Sequence, residues 1–337
     1  MTTYSKAQMQ TRLVRHSELR PCTTAFIDTR TPGSEQKENF TIIGPGVAEN
    51  PDQFVHIDIP HGFNIGGARQ PPHCVNSQHS HETAEVFIVH TGLWRFKTGE
   101  LGRDGYVDLY PGDTISIPTQ LFRGFENVGT GKGFLFAILG GNDPGRVTWA
   151  PYVFESASKY GLVLLENGQL IDTTREPVPD GMRPMPPTTA ADVTRMKVCS
   201  SEEIARCTVR FGELTASGGL SSLTGFAECP IVGPENPAEG MRAGRMNWAH
   251  GFQVRALLVE AGARSPMLRR DEEEVMLVHS GELCVSWDGG TLTLGAGDTL
   301  TVPIGLPHAI ANATTLPAVS FVVRGTDHPR AAYRLDG

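Results

Sequence analysis

The stretch Gln78–Gly92, QHSHETAEVFIVHTG, has a partial echo later in the chain, EEEVMLVHSG at 272–281. At one constant offset Glu85 falls on Glu274, Val86 on Val275, His90 on His279 and Gly92 on Gly281. The same offset of 189 positions carries HGFNI at 61–65 onto HGFQV at 250–254. After a four-residue deletion the register resumes, with GDTISIPTQLFRGFEN (112–127) on GDTLTVPIGLPHAIAN (297–312). A unit that occurs twice is read before anything else, because it fixes the architecture.

Each unit consists of short alternating runs: EVFIVHTGLWRF, GYVDLYPGDTISIP and KGFLFAIL in the first, EVMLVHSGELCVSW, GTLTLGAGDTLTVP and AVSFVVRG in the second. Period-two alternation broken by Gly, Pro and Asp predicts antiparallel strands closing into a barrel or sandwich. Gly at 38 and Pro at 24 residues agree with many turns and few long helices. The expected fold is therefore all-β, two similar barrels in tandem with a few short helices. Its parts are an irregular N-terminal extension (1–40), a first barrel (41–150), a connecting region (151–205) and a second barrel (206–337). The connecting region reads as a helix, a hairpin closed at Asn167-Gly168, a proline-rich linker and a short helix capped by Ser200 with Glu203.

The 337 residues suffice for two domains. No apolar run reaches membrane-spanning length, and a net charge of −8 without a basic block gives nucleic acid or an anionic membrane nothing to bind. The expected partner is a small molecule. A start without an apolar signal core and six cysteines without framework spacing predict a cytoplasmic protein with reduced thiols. Sheet edges predict a homo-oligomer, a dimer first.

On a strand, His79 and His81 point the same way and Ser80 the other. A tight turn through ETA returns Glu85 beside them, giving two imidazoles and one carboxylate around a point. That set suits a divalent first-row metal. His73, six residues earlier, is too far along a straight strand to join them, and Cys74 and Cys284 read as small buried residues.

These motifs resemble the cupin superfamily, whose first motif is G-x5-HxH-x3,4-E-x6-G and whose second is G-x5-PxG-x2-H-x3-N. The resemblance covers about two-thirds of the chain and implies a bicupin, two double-stranded β-helix (jelly-roll-like) barrels. His79, His81, Glu85 and Gly92 fit the first motif, and Gly112, Pro118 and Asn127 the second; Gln120 stands for a glycine and Arg123 for the motif histidine. The second unit keeps Gly262, Glu274, Gly281, Gly297, Pro303, Gly305, His308 and Asn312 but has Leu268 and Arg270 in place of the HxH pair. A degenerate second site follows.

Arginine has no lone pair for a cation, so the first site would hold its metal by His79, His81 and Glu85 alone and leave positions open. That is the donor composition of non-haem Fe(II) oxygenases. The leading expectation is an Fe(II) dioxygenase acting with O2 on a small anionic, aromatic or enolisable substrate; Zn, Mn, Ni or Cu stay open. Arg123 is assigned to the substrate anion, with Gln120, Phe87, Trp94 and Phe136 as further substrate contacts. A rival role pairs Arg123 with Glu85, in competition with the metal. Gentisate dioxygenases are similar in layout but keep the histidine that Arg123 replaces. Two other functions stay in view: a redox-neutral lyase, isomerase or hydrolase, and a non-catalytic binding barrel.

Overall fold

The computed structural model describes residues 3–335. Two compact units divide the chain, and their segments alternate along the sequence. One comprises Arg20–Asp58 and Asn64–Thr208; the other comprises the N-terminal residues through Leu19, Ile59–Phe63 and the chain from Val209.

In the first unit a seven-stranded and a five-stranded sheet carry the strands of a barrel. The larger sheet has Glu85–Thr91 at its middle, between Thr114–Ile117 and Gly133–Gly140, and continues through Phe63–Gln70 to Glu38–Ile43. The smaller runs Val147–Trp149, Val75–His81, Arg123–Asn127, Trp94–Thr98, Gly105–Leu109. Alternation decides which side chains fill the barrel. Along Trp94–Thr98, Trp94, Phe96 and Thr98 are buried, and the intervening Arg95 and Lys97 reach Asp108 (2.7 Å) and Glu126 (2.6 Å) on neighbouring strands. The core gathers Phe87, Val89, Trp94, Phe96, Ile115, Phe125 and Leu135.

The expected connecting elements are present. Pro151–Lys159 is a helix, Leu162–Leu164 pairs with Leu170–Asp172 around Gly168 at φ 87°, and Ser200 and Glu203 form a reciprocal capping box. They belong to the first unit. Ser201 Oγ accepts from Tyr106 N at 2.9 Å, and a Cβ at Gly105 would lie 2.3 Å from Ser201 N, so only glycine lets this helix dock.

The second unit repeats the plan. Its six-stranded sheet runs Leu13–Val14, Thr299–Val302, Glu274–Ser280, Ala318–Gly325, Phe252–Val259, Phe226–Val232, and its three-stranded sheet Gly290–Leu294, Leu283–Trp287, Ala309–Ala311. The expectation of an irregular extension over 1–40 is corrected here. Lys6–Gln10 is a capped helix, Leu13 pairs with Leu300, and Arg15 and His16 N bind Asp298. Glu38–Ile43 at the other end of that segment is a strand of the first unit. An edge strand drawn from so far away leaves no local signal in the sequence. All six cysteines are free, and among the described residues no helix is long and apolar enough to cross a membrane.

Two positions show what the repeat costs. His73 and Gln120 have φ of 64° and 60°, and their counterparts Gly262 and Gly305 both have 76°. The left-handed region is unfavourable for a side chain. Both residues are exposed and forgo little packing. His73→Gly and Gln120→Gly are each expected to stabilise the protein by about 0.5–1 kcal/mol, read as a raised midpoint in chemical denaturation.

Candidate functional site

The strand Val75–His81 turns the rings of His79 and His81 inward, and Glu85 opens the next strand beside them; all three are buried. His79 Nδ1 lies 2.7 Å from Ser77 O. With the proton on Nδ1, Nε2 keeps its lone pair. The His79 ring packs on Trp149 and on His81, centroids 5.0 and 5.2 Å apart. Burial, and then the Arg123 charge, hold both imidazoles well below their usual pKa, so both are neutral at pH 7.

Arg123 is fully buried, and its guanidinium binds Glu85 Oε2 and donates to His79 O at 2.7 Å. Burial pushes the Glu85 carboxyl up against the pull of that guanidinium. The other oxygen, Oε1, is 3.6 Å from His81 Nε2. That is too long for a hydrogen bond and compatible with two donors flanking one ion at 2.0–2.2 Å each. His81 Nδ1 and Arg123 Nε are buried without a hydrogen-bond partner among the described residues.

These groups close one end of a cavity of about 70 Å³, lined also by Asn39, Asn64, Gly66, Phe87, Phe125 and Leu139. Of the expected substrate contacts only Phe87 lies on it. Arg123 stands behind Glu85, and Trp94 is deeper in the core with Nε1 donating to Thr91 O. Phe136 points to the opposite face, against His90 and Phe134: Ala137 and Leu139 of its strand line the cavity, so its parity is wrong. Gln120 is exposed, on the rim of a separate groove with Trp149 and Met196. Asn39, whose buried Nδ2 has no partner among the described residues, also lines the cavity and lies outside the sequence motifs. Its position in the register is the signal that could have found it.

Behind the histidines lies a second buried layer. Lys37 binds Asp28 and Asn76 (2.9 Å to the latter), and Asp28 accepts from Ser77 N at 3.0 Å. Glu49 accepts from Trp149 Nε1 (2.6 Å) and Ile27 N (2.7 Å), yet burial raises its pKa to about 8.

The second barrel places the same chemistry differently. Its glutamate, Glu274, also has a histidine Nε2 at 3.6 Å from Oε1, now His308, and an arginine on Oε2, now Arg270 at 3.0 Å. By the repeat register, His308 occupies the place of Arg123 and Arg270 that of His81: histidine and arginine have exchanged positions. Arg324, opposite Glu274 in the ladder, takes the place of Leu139, which faces Glu85. Likewise Glu228 matches Asn39 and Arg255 matches Gly66. These are the positions that keep the first cavity open.

The result is a closed ring of alternating charge. Arg255 binds Glu228 (3.0 Å), Glu228 Arg324 (2.8 Å), Arg324 Glu274 (2.7 Å), Glu274 Arg270, Arg270 Glu239 (3.0 Å) and Glu239 Arg255 (2.7 Å). Burial alone would raise Glu228, but Arg324, Arg255 and Arg270 hold it at about 2. The expected degenerate site is thus a plug of ion pairs.

Residues 257–324 match the family model described as a cupin domain. The fold is a bicupin. The chain is similar to oxalate decarboxylase from Bacillus subtilis at pH 4.6, with TM-score 0.57, 16% identity, 99% of this chain and 80% of that one covered. It is also similar to the formate complex of Lactobacillus farciminis oxalate decarboxylase, with TM-score 0.60, 12% identity, 99% and 90% covered. Likeness at such identity is one of fold. No curated protein shows significant similarity to the chain.

A metal at the first site of this bicupin is testable against its donors. Two neutral imidazoles and a carboxylate are the right donors, and the 3.6 Å gap between His81 and Glu85 accommodates an ion. As the side chains stand, no group of three or more His, Cys, Asp or Glu among the described residues is placed so that it could hold a metal ion. Arg123 accounts for this by claiming one oxygen of Glu85. The donors fit in identity, and a bound ion would share Glu85 with Arg123.

Proposed function

We propose that the first barrel is the working site of an enzyme acting on a small carboxylic acid and that the second is its structural counterpart. The observation that carries this is the register comparison. Asn39, Gly66 and Leu139 leave a cavity over His79, His81 and Glu85, whereas Glu228, Arg255 and Arg324 fill it in the other barrel.

His79, His81 and Glu85 would hold a divalent ion, which when bound supplies polarisation of a substrate oxygen. The chain's own groups do the rest. Ser77 fixes the His79 tautomer, Arg123 steadies Glu85, Asn39 Nδ2 offers a donor to a substrate carboxylate, and Phe87, Phe125 and Leu139 keep the cavity dry.

Cavity size favours redox-neutral cleavage or proton transfer beside a carboxylate over ring-opening dioxygenation. An engineered cavity that takes benzene has roughly 150 Å³, and about 70 Å³ does not hold a ring with dioxygen beside it. The similarity to oxalate decarboxylases agrees with a small acid. Fe(II) dioxygenation stays as the second reading, supported by the donor composition.

The test is metal content and turnover on two- to four-carbon acids, in air and under strict anaerobiosis. His81→Ala is expected to lose the ion and at least 100-fold in turnover, and exclusion of O2 to change nothing. Turnover that stops without O2 would restore the dioxygenase reading. The double substitution Asn39→Glu with Leu139→Arg should import the second barrel's plug, abolishing ligand and metal binding in a folded protein. Full activity in that variant would remove the cavity from the mechanism.

A further inference from the structure

The strand that carries the histidines is irregular just before them. Arg123 lies opposite His79 and Phe125 opposite Asn76, so Ser77 and Gln78 together face Gly124 in a β-bulge. A bulge takes amide groups out of the ladder, and each then needs another acceptor. Gln78 N donates to Tyr152 Oη at 3.2 Å, and Ser77 N to Asp28 Oδ2 at 3.0 Å. Asp28 is held in turn by Lys37, which also donates to Asn76 Oδ1 at 2.9 Å; neither side chain of this ion pair has any exposed surface. The Lys37 ammonium lies over the Trp149 ring, 6.0 Å from its centroid. Two groups fix the His79 imidazole, the Ser77 carbonyl on Nδ1 and the Trp149 ring against its face. Both are backed by the same buried pair.

The second barrel has the same bulge and no such pair. Leu268 lies opposite His308 while Ser265 N donates to Ile310 O at 2.9 Å, again one residue more on this strand than on its partner. By the repeat register Ser77 becomes Pro266, which has no N–H to satisfy, and Lys37 becomes Phe226, a core residue. Proline and an apolar side chain therefore suffice for the fold at this place. A buried ion pair pays the desolvation of two charges and is often matched or bettered by apolar packing. Its presence in the first barrel is explained by what it orients: the same strand ends on His79 here and on Leu268 there. We infer that Asp28 and Lys37 are positioning residues for His79. Through the Ser77 N–H and the Trp149 ring they hold the imidazole with its proton on Nδ1 and its Nε2 lone pair ready for a ligand. Neither residue lines the cavity. The inference deepens the metal reading above, which gives the held ring its purpose.

The test reads the His79 ring itself, in the whole metal-free protein labelled with 15N at its histidines. Long-range 1H–15N correlation NMR distinguishes the two neutral tautomers, and His79→Gln assigns the signal. Wild type is expected to show a single His79 tautomer with the proton on Nδ1. Asp28→Ala with Lys37→Met removes the pair without stranding a charge. It should move the His79 signals toward a mixture of tautomers, leave those of His250 in the other unit in place, and weaken Mn2+ in calorimetric titration about tenfold. Asp28→Asn with Lys37→Met keeps a neutral acceptor for Ser77 N and should fall between wild type and the alanine variant. It also decides the matter if the alanine variant does not fold, since a wild-type His79 pattern and Mn2+ affinity there would overturn the inference. A wild-type His79 ring protonated on Nε2 would overturn it as well. So would unchanged His79 signals in the alanine variant, which would make the pair a fold element and leave the metal reading standing. Failure of the wild-type protein to bind Mn2+ would overturn the metal reading, and the ring signals, read without metal, would still decide the inference.

Discussion

Glu274→Ala is expected to destabilise the second barrel by ~3–5 kcal/mol, the cost of opening a buried ion pair from one side. Glu274 joins Arg270 to Arg324 in the ring, and its loss leaves two guanidinium groups sharing Glu228 and Glu239 with Arg255. Three buried cations would then face two carboxylates with no water to solvate the excess. The measurement is urea denaturation of the whole protein, followed by tryptophan fluorescence, to which Trp248 and Trp287 of the second unit contribute. Glu274→Gln, which keeps the shape and one acceptor, should fall between wild type and alanine. A loss below about 1 kcal/mol for the alanine variant would mean that the ring is a set of independent weak pairs. Replacing all six members by apolar residues is a different experiment. It can be neutral or stabilising, because the desolvation of every charge is then avoided.

Stability of the first unit should fall as pH rises through the neutral range, and Glu49 is the cause. Its carboxyl is raised from an ordinary 4.5 to about 8, chiefly by burial, against the hydrogen bonds from Trp149 and Ile27. Between those values the folded chain binds a proton that the unfolded chain has released, so unfolding becomes easier with increasing pH. The contribution is fully present below about pH 4.5 and lost by about pH 8. Integrated from pH 5 to pH 9 it is on the order of 4 kcal/mol. Glu49→Gln should flatten that slope. It also sacrifices one of the two accepted hydrogen bonds, so the change of slope, and not the absolute stability, is the readout. Equal slopes in wild type and variant over pH 5–9 would show that Glu49 is ionised in the fold.

Much of the architecture was legible because the repeat could be aligned without knowledge of the fold. The strands, the Gly168 hairpin, the Ser200 cap and the inward pair His79/His81 follow from period and spacing. What escaped was long-range or depended on parity. Residue type points Phe136 to the pocket, whereas its neighbours Ala137 and Leu139 hold the inward positions. Arg123 was placed against substrate, whereas a guanidinium on a strand beside Glu85 is drawn to that carboxylate first. Its rival role, pairing with Glu85, is the one the structure adopts. The ring was missed although it left a trace. Glu228, Arg255 and Arg324 each put a charge into a mostly apolar strand, FAECPIV, FQVRALLV and AVSFVVRG. A charge at an inward position of a fully buried strand asks for a partner, and three such strands in one barrel ask for each other.

The pairing of Leu13–Val14 with Thr299–Val302 sets an order on synthesis. The segment that caps the second barrel's sheet leaves the ribosome before the strand it caps, with the whole first barrel made between the two. Until then the first barrel can close, because its strands lie within residues 20–208, whereas the leading residues must wait unpaired. A fragment begun at residue 209 would present Thr299–Val302 as a bare edge open to a neighbouring chain. Yield of such a fragment should therefore recover when a peptide spanning residues 3–19 is supplied with it.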